Sequence, residues 1–307
     1  MHKWARVAMV AAAFLPSLLM LPGSGAQAAT SVCSSSANPA MAKKLSSAIQ
    51  TALRGRQSTT AVGVYDRKHK LSCWVGSTRH YDSASTVKAT VLGALLRKAG
   101  EQHRSLTAHE KSLAHAMITK SDNNATTALW NSVGRSRMQH FLNLVGMKQT
   151  HLGPGGYWGL TQITAHDEIL LLTKLTAHNS VLTDKARSYE LYLMNHVISS
   201  QRWGAPAGAP SGAKVHVKNG WLPRSTHGWR VHSLGTFDGG GRDYMIVLLS
   251  HNNPSMAYGI TSIERVARVI HHTLNPGQKS ALARERTTPD PTWEIPDEQI
   301  PDLPQIP

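Results

Sequence analysis

The apolar positions of this chain change period along its length, and each change marks an element. Pro39–Leu53 places Met41, Leu45, Ile49 and Leu53 four residues apart, the spacing of one helix face. Residues 59–65 and 71–76 are apolar-rich runs without that spacing, and the polar connection 66–70 predicts that they form a hairpin. From about residue 83 to 178 the pattern is helical, broken at Gly100, at Asn123-Asn124, at Gly134 and by Gly153-Pro154-Gly155-Gly156. A further helix is predicted from about 183 to 199. Residues 214–217, 229–237 and 244–250 then read as strands, the last two joined by the turn Asp238-Gly239-Gly240-Gly241. Residues 260–274 close the pattern as a helix with Ile263, Val266, Val269 and Ile270 on one face. This order predicts an α+β fold: a mostly antiparallel sheet flanked by N- and C-terminal helices, with an inserted all-helical lobe.

Both ends depart from the pattern. Residues 1–28 open with His2, Lys3 and Arg6, run apolar from Val7 to Leu21, and finish on Ala26-Gln27-Ala28, which reads as a secretory signal peptide. Val32 fits a lipid-attachment motif before Cys33 poorly, and no second apolar run approaches membrane length, so a soluble secreted protein is expected. Residues 278–307 hold six of the 15 Pro, and from Thr287 onward five acids with no Lys or Arg, which reads as an extended, disordered acidic tail. Residues 29–277 remain as one domain.

Composition narrows the class. The chain has 307 residues, and its 41% hydrophobic and 17% charged fractions exclude a wholly disordered protein. Lys and Arg exceed Asp and Glu by 33 to 18, a formal charge of +15. Setting aside Lys3 and Arg6 with the leader and the five acids with residues 287–307 leaves a body of +18. That charge suits an anionic partner such as a cell-wall polymer; export and the lack of a recognition motif argue against nucleic acid. Two Cys exclude a disulfide-rich scaffold and a Cys-built zinc module. Cys33 and Cys73 form either a disulfide tying the N-terminal arm to an early strand or two separate buried thiols. The 17 His show no metal-ligand spacing, so no metal or cofactor is expected, and the chain is read as a monomer.

The chemistry concentrates in three places. From Ser83 to Leu96 the only charge is Lys88, so a helix here is apolar around its circumference and predicted to be buried. Lys88 lies three residues after Ser85, on the same face. Ser85 falls in the first turn, after possible caps Asp82 and Ser83, where backbone N–H groups favour negative charge. A buried amine beside a hydroxyl at such a helix end is a nucleophile with its base. Ser121-Asp122-Asn123 follows a predicted helix over about 106–118, and Lys218-Asn219-Gly220 follows the strand at 214–217. Read alone, each of these triplets is a helix stop or a strand end; S-x-x-K recurs at Ser211–Lys214 without such a setting.

In this order the three elements resemble the penicillin-recognising serine hydrolases, in particular the class A β-lactamase-like branch, over about residues 38–276. The segments Gln201-Arg202-Trp203-Gly204 and Thr164-Ala165-His166-Asp167 resemble that branch as well. The resemblance implies a β-lactamase/transpeptidase-like fold and a set of roles. Ser85 would form an acyl-enzyme, Lys88 would take its proton, and Ser121 would relay a proton to the leaving nitrogen. Asn123 would bind the substrate's side-chain amide, and Lys218 would supply positive potential near its carboxylate. The backbone N–H groups of Ser85 and Trp221 would form the oxyanion hole, beside Gly220. Three departures matter, one of them a stretch between Ser85 and Ser121 shorter than class A leads one to expect, which predicts a trimmed helical lobe and a more open cleft. Asn219 stands where the pattern carries Thr or Ser, so an amide is expected where a hydroxyl would meet the substrate carboxylate. The segment from His151 to Thr164 has no Glu or Asp to activate a deacylating water, and Glu168, beside Asp167 on the next helix, is expected at the surface. The readings are therefore a secreted serine hydrolase acting on β-lactams or related cell-wall amides, a D-alanyl-D-alanine carboxypeptidase-like enzyme, or a catalytically weak wall-binding protein of the same fold.

Overall fold

The computed structural model describes residues 1–2 and 31–279; most of the leader and nearly all of the tail lie outside the described residues. Strand β1 (Cys33–Ser35) precedes helix α1 (Pro39–Leu53), β2 (Thr59–Asp66), β3 (Leu71–Val75) and the two-residue β4 (Tyr81–Asp82). Helices α2 (Val87–Glu101), α3 (Ala108–His115), α4 (Asn123–Val133) and α5 (Arg135–Val145) follow, then β5 (Gln162–Ile163), α6 (Ala165–Thr176) and α7 (Asp184–Asn195). Strands β6 (Lys214–Leu222), β7 (Trp229–Gly239) and β8 (Arg242–Asn253) lead into α8 (Met256–Leu274). The larger sheet has the order β1-β3-β2-β8-β7-β6, antiparallel throughout, and β4 pairs with β5 separately. This is the α+β, β-lactamase-like architecture expected, and among the described residues no helix is long and apolar enough to cross a membrane.

The sheet lies between two hydrophobic clusters. On one side Leu45 and Ile49 of α1 pack with Ile263, Val266 and Ile270 of α8 against Val62, Val64, Ile246 and Leu248. On the other, Ala61, Met245, Val247 and Leu249 meet the helical lobe, including Leu92, Leu95, Phe141 and Leu172. The central strand β8 is therefore covered on both faces, which is why Met245–Leu249 reads as an unbroken apolar run rather than an alternating one. Each such buried side chain contributes about 1.5–3 kcal/mol over an exposed one.

Local signals set the element ends. Asn38 caps α1 by accepting from Met41 N, with Pro39 at the first helical position. Thr107 and Glu110 form a reciprocal capping box on α3. Gly93 sits mid-helix in α2 because a Cβ there would stand 2.5 Å from Phe141 Cζ; its absence lets α2 and α5 approach closely. Cys33 and Cys73 are opposite one another in the β1–β3 pair and are disulfide-bonded.

Candidate active site

The predicted apolar helix is α2, and it is buried around its circumference from Val87 to Leu96, Lys88 included. A single 3-10 turn, Ala84–Thr86, precedes it and carries Ser85 at its centre. Ala84 has φ +48°, a left-handed conformation that costs a non-glycine residue free energy, so the surroundings must hold it. Neither Asp82 nor Ser83 caps α2 as expected. Asp82 is fully buried and accepts from Gln162 Nε2 at 2.6 Å and from Arg230 Nε at 2.9 Å; Arg230 Nη2 lies 2.8 Å away and Arg224 Nη1 3.5 Å. The Asp82 carbonyl accepts from His232 Nε2 at 2.8 Å, while His232 Nδ1 accepts from Ser250 N–H at 3.1 Å. Burial pushes the His232 imidazole down to about 4, consistent with this neutral pairing. Ser83 is likewise tied inward: its N–H donates to the Thr161 carbonyl at 2.8 Å.

Ser121 ends a π-helical turn, Ala116–Lys120, and adopts φ +61° there. Asp122 caps α4 by accepting from Ala125 N at 2.7 Å, which places Asn123 at the first helical position. Lys88 Nζ donates to the Ser121 carbonyl at 2.6 Å, to Ser121 Oγ at 3.1 Å and to Asn123 Oδ1 at 2.8 Å. Lys218 Nζ donates to the same Ser121 Oγ at 3.0 Å and to its neighbour's carbonyl, Asn219 O, at 2.9 Å. Lys218 is wholly buried, and that burial pushes its amine down to about 7. A hydroxyl held between two amines, one titrating near neutrality, can accept a proton from one side and donate one on the other.

Strand β6 runs longer than its sequence pattern implies, so Lys218, Asn219, Gly220 and Trp221 lie within it. Gly220 is the point of closest approach to the Ser85 turn. A Cβ there would stand 2.8 Å from Thr86 N, 2.9 Å from Ser85 N and 3.0 Å from Ser83 O. The glycine therefore brings the β6 backbone, with Trp221 next in line, against the Ser85 N–H. Trp221 itself is half-buried and packs at a tilt on Trp203, ring centroids 6.0 Å apart.

Asn219 does not lie where the sequence places it. Both hydrogens of its amide go to backbone carbonyls, Gln201 O at 2.8 Å and Trp203 O at 3.0 Å, and the side chain is buried. Consecutive strand residues point to opposite faces, so with Lys218 directed at Ser121 its neighbour points into the body. Glu168 is a second correction. It is completely buried, neither carboxylate oxygen has a hydrogen-bond partner, and desolvation, reinforced by the Asp167 charge, raises it to about 8. Its stripe, Ala165, Glu168, Leu171, Leu172 and Leu175, is apolar apart from the Glu itself, and that periodicity is the sequence signal for burial.

One residue the motifs do not include stands in the site. The Trp158 ring centroid is 4.8 Å from Lys88 Nζ, and Trp158 Nε1 donates to Thr127 Oγ1 at 3.1 Å. Asp82 and Arg230 also escape the motifs, being 148 residues apart. Among the described residues no group of three or more His, Cys, Asp or Glu side chains is placed to hold a metal.

No curated protein matches the chain. Solved structures of similar fold include a point mutant of PBP-A as an acyl-enzyme complex with penicillin G, 20% identical, TM-score 0.64, with 76% of this chain and 96% of that one covered. A beta-lactamase from Sphaerobacter thermophilus is 18% identical, TM-score 0.65, covering 75% and 98%. A class A beta-lactamase from Bacteroides cellulosilyticus is 17% identical, TM-score 0.66, covering 76% and 98%. The sequence profile of the beta-lactamase enzyme family matches residues 109–274, a stretch that contains Ser121, Asn123, Trp158 and Lys218, and the chain belongs to that family.

Proposed function

We propose that this protein is a secreted serine hydrolase that forms an acyl-enzyme at Ser85 with β-lactams or cell-wall peptide amides. The observation that carries the reading is the chain of contacts from Lys88 through Ser121 Oγ to Lys218, one helical turn from Ser85. In the proposed cycle Lys88 takes the Ser85 proton as Oγ bonds to the carbonyl carbon. Ser121 passes a proton to the leaving nitrogen, and Lys218 replenishes it. The N–H groups of Ser85 and Trp221 stabilise the oxyanion, typically by about 3–4 kcal/mol per donor. Deacylation is slow, because residues 151–164 bring no carboxylate to activate water. That absence supports a carboxypeptidase-like activity on stem-peptide amides as the second reading. Export follows from the leader at residues 1–28, and the basic body would keep the protein near anionic wall polymer.

Incubation with a fluorescent penicillin, followed by intact mass, tests the reading. The expected result is a long-lived adduct of one per chain, lost in Ser85→Ala. Rapid nitrocefin turnover would overturn slow deacylation; neither adduct nor turnover would leave a wall-binding protein without this chemistry. Retention on purified cell wall that is indifferent to salt would overturn the charge argument.

A further inference from the structure

Lys88 is walled in, and one wall is not polar. Ser121 and Asn123 take hydrogen bonds from its amine, and the indole of Trp158 stands 4.8 Å away. Trp158 is itself 4% exposed and pinned at both ends. Its Nε1 donates to Thr127 on α4, and the short helical turn it begins, Trp158–Leu160, is bonded to the Ser85 turn: Ser83 Oγ lies within 3.3–3.4 Å of the Trp158 and Gly159 carbonyls. An indole face attracts a cation by about 0.5–2 kcal/mol but offers no lone pair or hydrogen with which to orient water.

Resting on the acyl-enzyme reading above, we propose that Trp158 determines how long an acyl group stays on Ser85, by occupying the space beside Lys88 that a hydrolytic water would need. Ester hydrolysis requires the water oxygen to bond to the acyl carbon, a base to take the water's proton, and the carbon–Oγ bond to break with a proton returned to Ser85. Lys88 is the base one turn away, and residues 151–164 supply no other. A water activated by Lys88 must come within hydrogen-bond reach of Nζ, and the ring, centred 4.8 Å from that atom, takes up room beside it. Trp158 is thus a positioning residue: it touches Lys88, and acts on the acyl group by excluding a reactant.

The test compares wild type, Trp158→Phe, Trp158→Leu and Trp158→Ala. Each is acylated with a fluorescent penicillin, excess reagent is removed, and loss of the adduct is followed by intact mass. Adduct loss is expected to quicken about tenfold or more in Trp158→Ala and to a lesser degree in Trp158→Leu, with Trp158→Phe close to wild type. The acylation rate, which also runs through Lys88, should change by a smaller factor than the adduct lifetime does, a split that a merely loosened fold would not produce. If Trp158→Ala fails to fold, the Leu and Phe variants carry the comparison. Equal adduct lifetimes in folded variants would overturn the proposal while leaving the acyl-enzyme reading intact. Rapid loss of the adduct from wild type would also overturn it. No adduct on wild type would sink the acyl-enzyme reading, and this inference with it.

Discussion

Lys88 and Lys218 converge on one hydroxyl: the two amines stand 3.1 and 3.0 Å from Ser121 Oγ, one arriving from a helix and the other from a strand. Positive charge on both amines at once would be repulsive at this separation, and the hydroxyl between them screens part of that repulsion. Ser121→Ala removes both the screen and the proton path. Acylation by a penicillin should slow by about 10²–10³-fold, measured as the rate of adduct formation, with the far-UV spectrum unchanged.

The second amine gives the protein a pH signature. Folding lowers Lys218 from 10.5 to about 7, so between these values the unfolded chain binds the extra proton. Stability contributed through this group therefore rises as pH climbs from 7 to 10.5. Urea titrations of wild type and Lys218→Met should show wild type gaining by roughly 2–4 kcal/mol relative to the variant across that window. Parallel curves would place Lys218 in contact with water.

Glu168 produces the opposite slope. Its carboxyl is raised from 4.5 to about 8, so here the folded state holds the proton, and stability is lost as pH rises from 4.5 through 8. Glu168→Gln should match wild type near pH 4 and exceed it by roughly 3–5 kcal/mol at pH 9, read from the same titrations.

Gly220→Ala places a methyl group 2.8 Å from Thr86 N and 2.9 Å from Ser85 N, both backbone atoms that cannot swing aside. The β6 backbone must retreat from the Ser85 turn. A loss of acylation of about 100-fold or more is expected, with a stability cost of about 1–3 kcal/mol, from adduct kinetics and thermal unfolding.

Behind that turn, Asp82→Asn leaves Arg230 buried opposite a neutral amide. Breaking such a pair from one side costs about 3–5 kcal/mol. Calorimetry should show that loss, and Asp82→Asn combined with Arg230→Met should recover part of it, since the second change removes one of the two guanidinium groups beside position 82.

The motifs at Ser85 and Ser121 are legible in the sequence because they lie at helix ends, where Ser, Asp and Asn have recognisable local roles; Lys218-Asn219-Gly220 is legible only by its order after them, since it lies inside β6 rather than at its end. The α+β order follows from the switch between helical and strand periods. The Asp82–Arg230 pair is not legible, since nothing local at either residue points to a partner 148 positions away. Trp158 reads in sequence as one more loop aromatic among glycines; only the folding of its turn against Ser83 brings it over Lys88. Asn219 departs from its expected place because a motif gives a residue's position but not its side of the strand. Glu168 departs because a carboxylate in the first turn of a helix suits the helix dipole, and the apolar stripe around it is the weaker cue.

The amine–hydroxyl–amine chain joins the helical lobe to the sheet: Lys88 and Ser121 come from the lobe, Lys218 from β6. The groups proposed to react are thus also the joint between lobe and sheet. A slip of lobe against sheet of about 1 Å would stretch the contact between Lys218 and Ser121 beyond bonding range before the helices and strands themselves came apart. Heat or denaturant should therefore silence this protein before it melts, with acylation lost in a chain whose helices and strands are still in place.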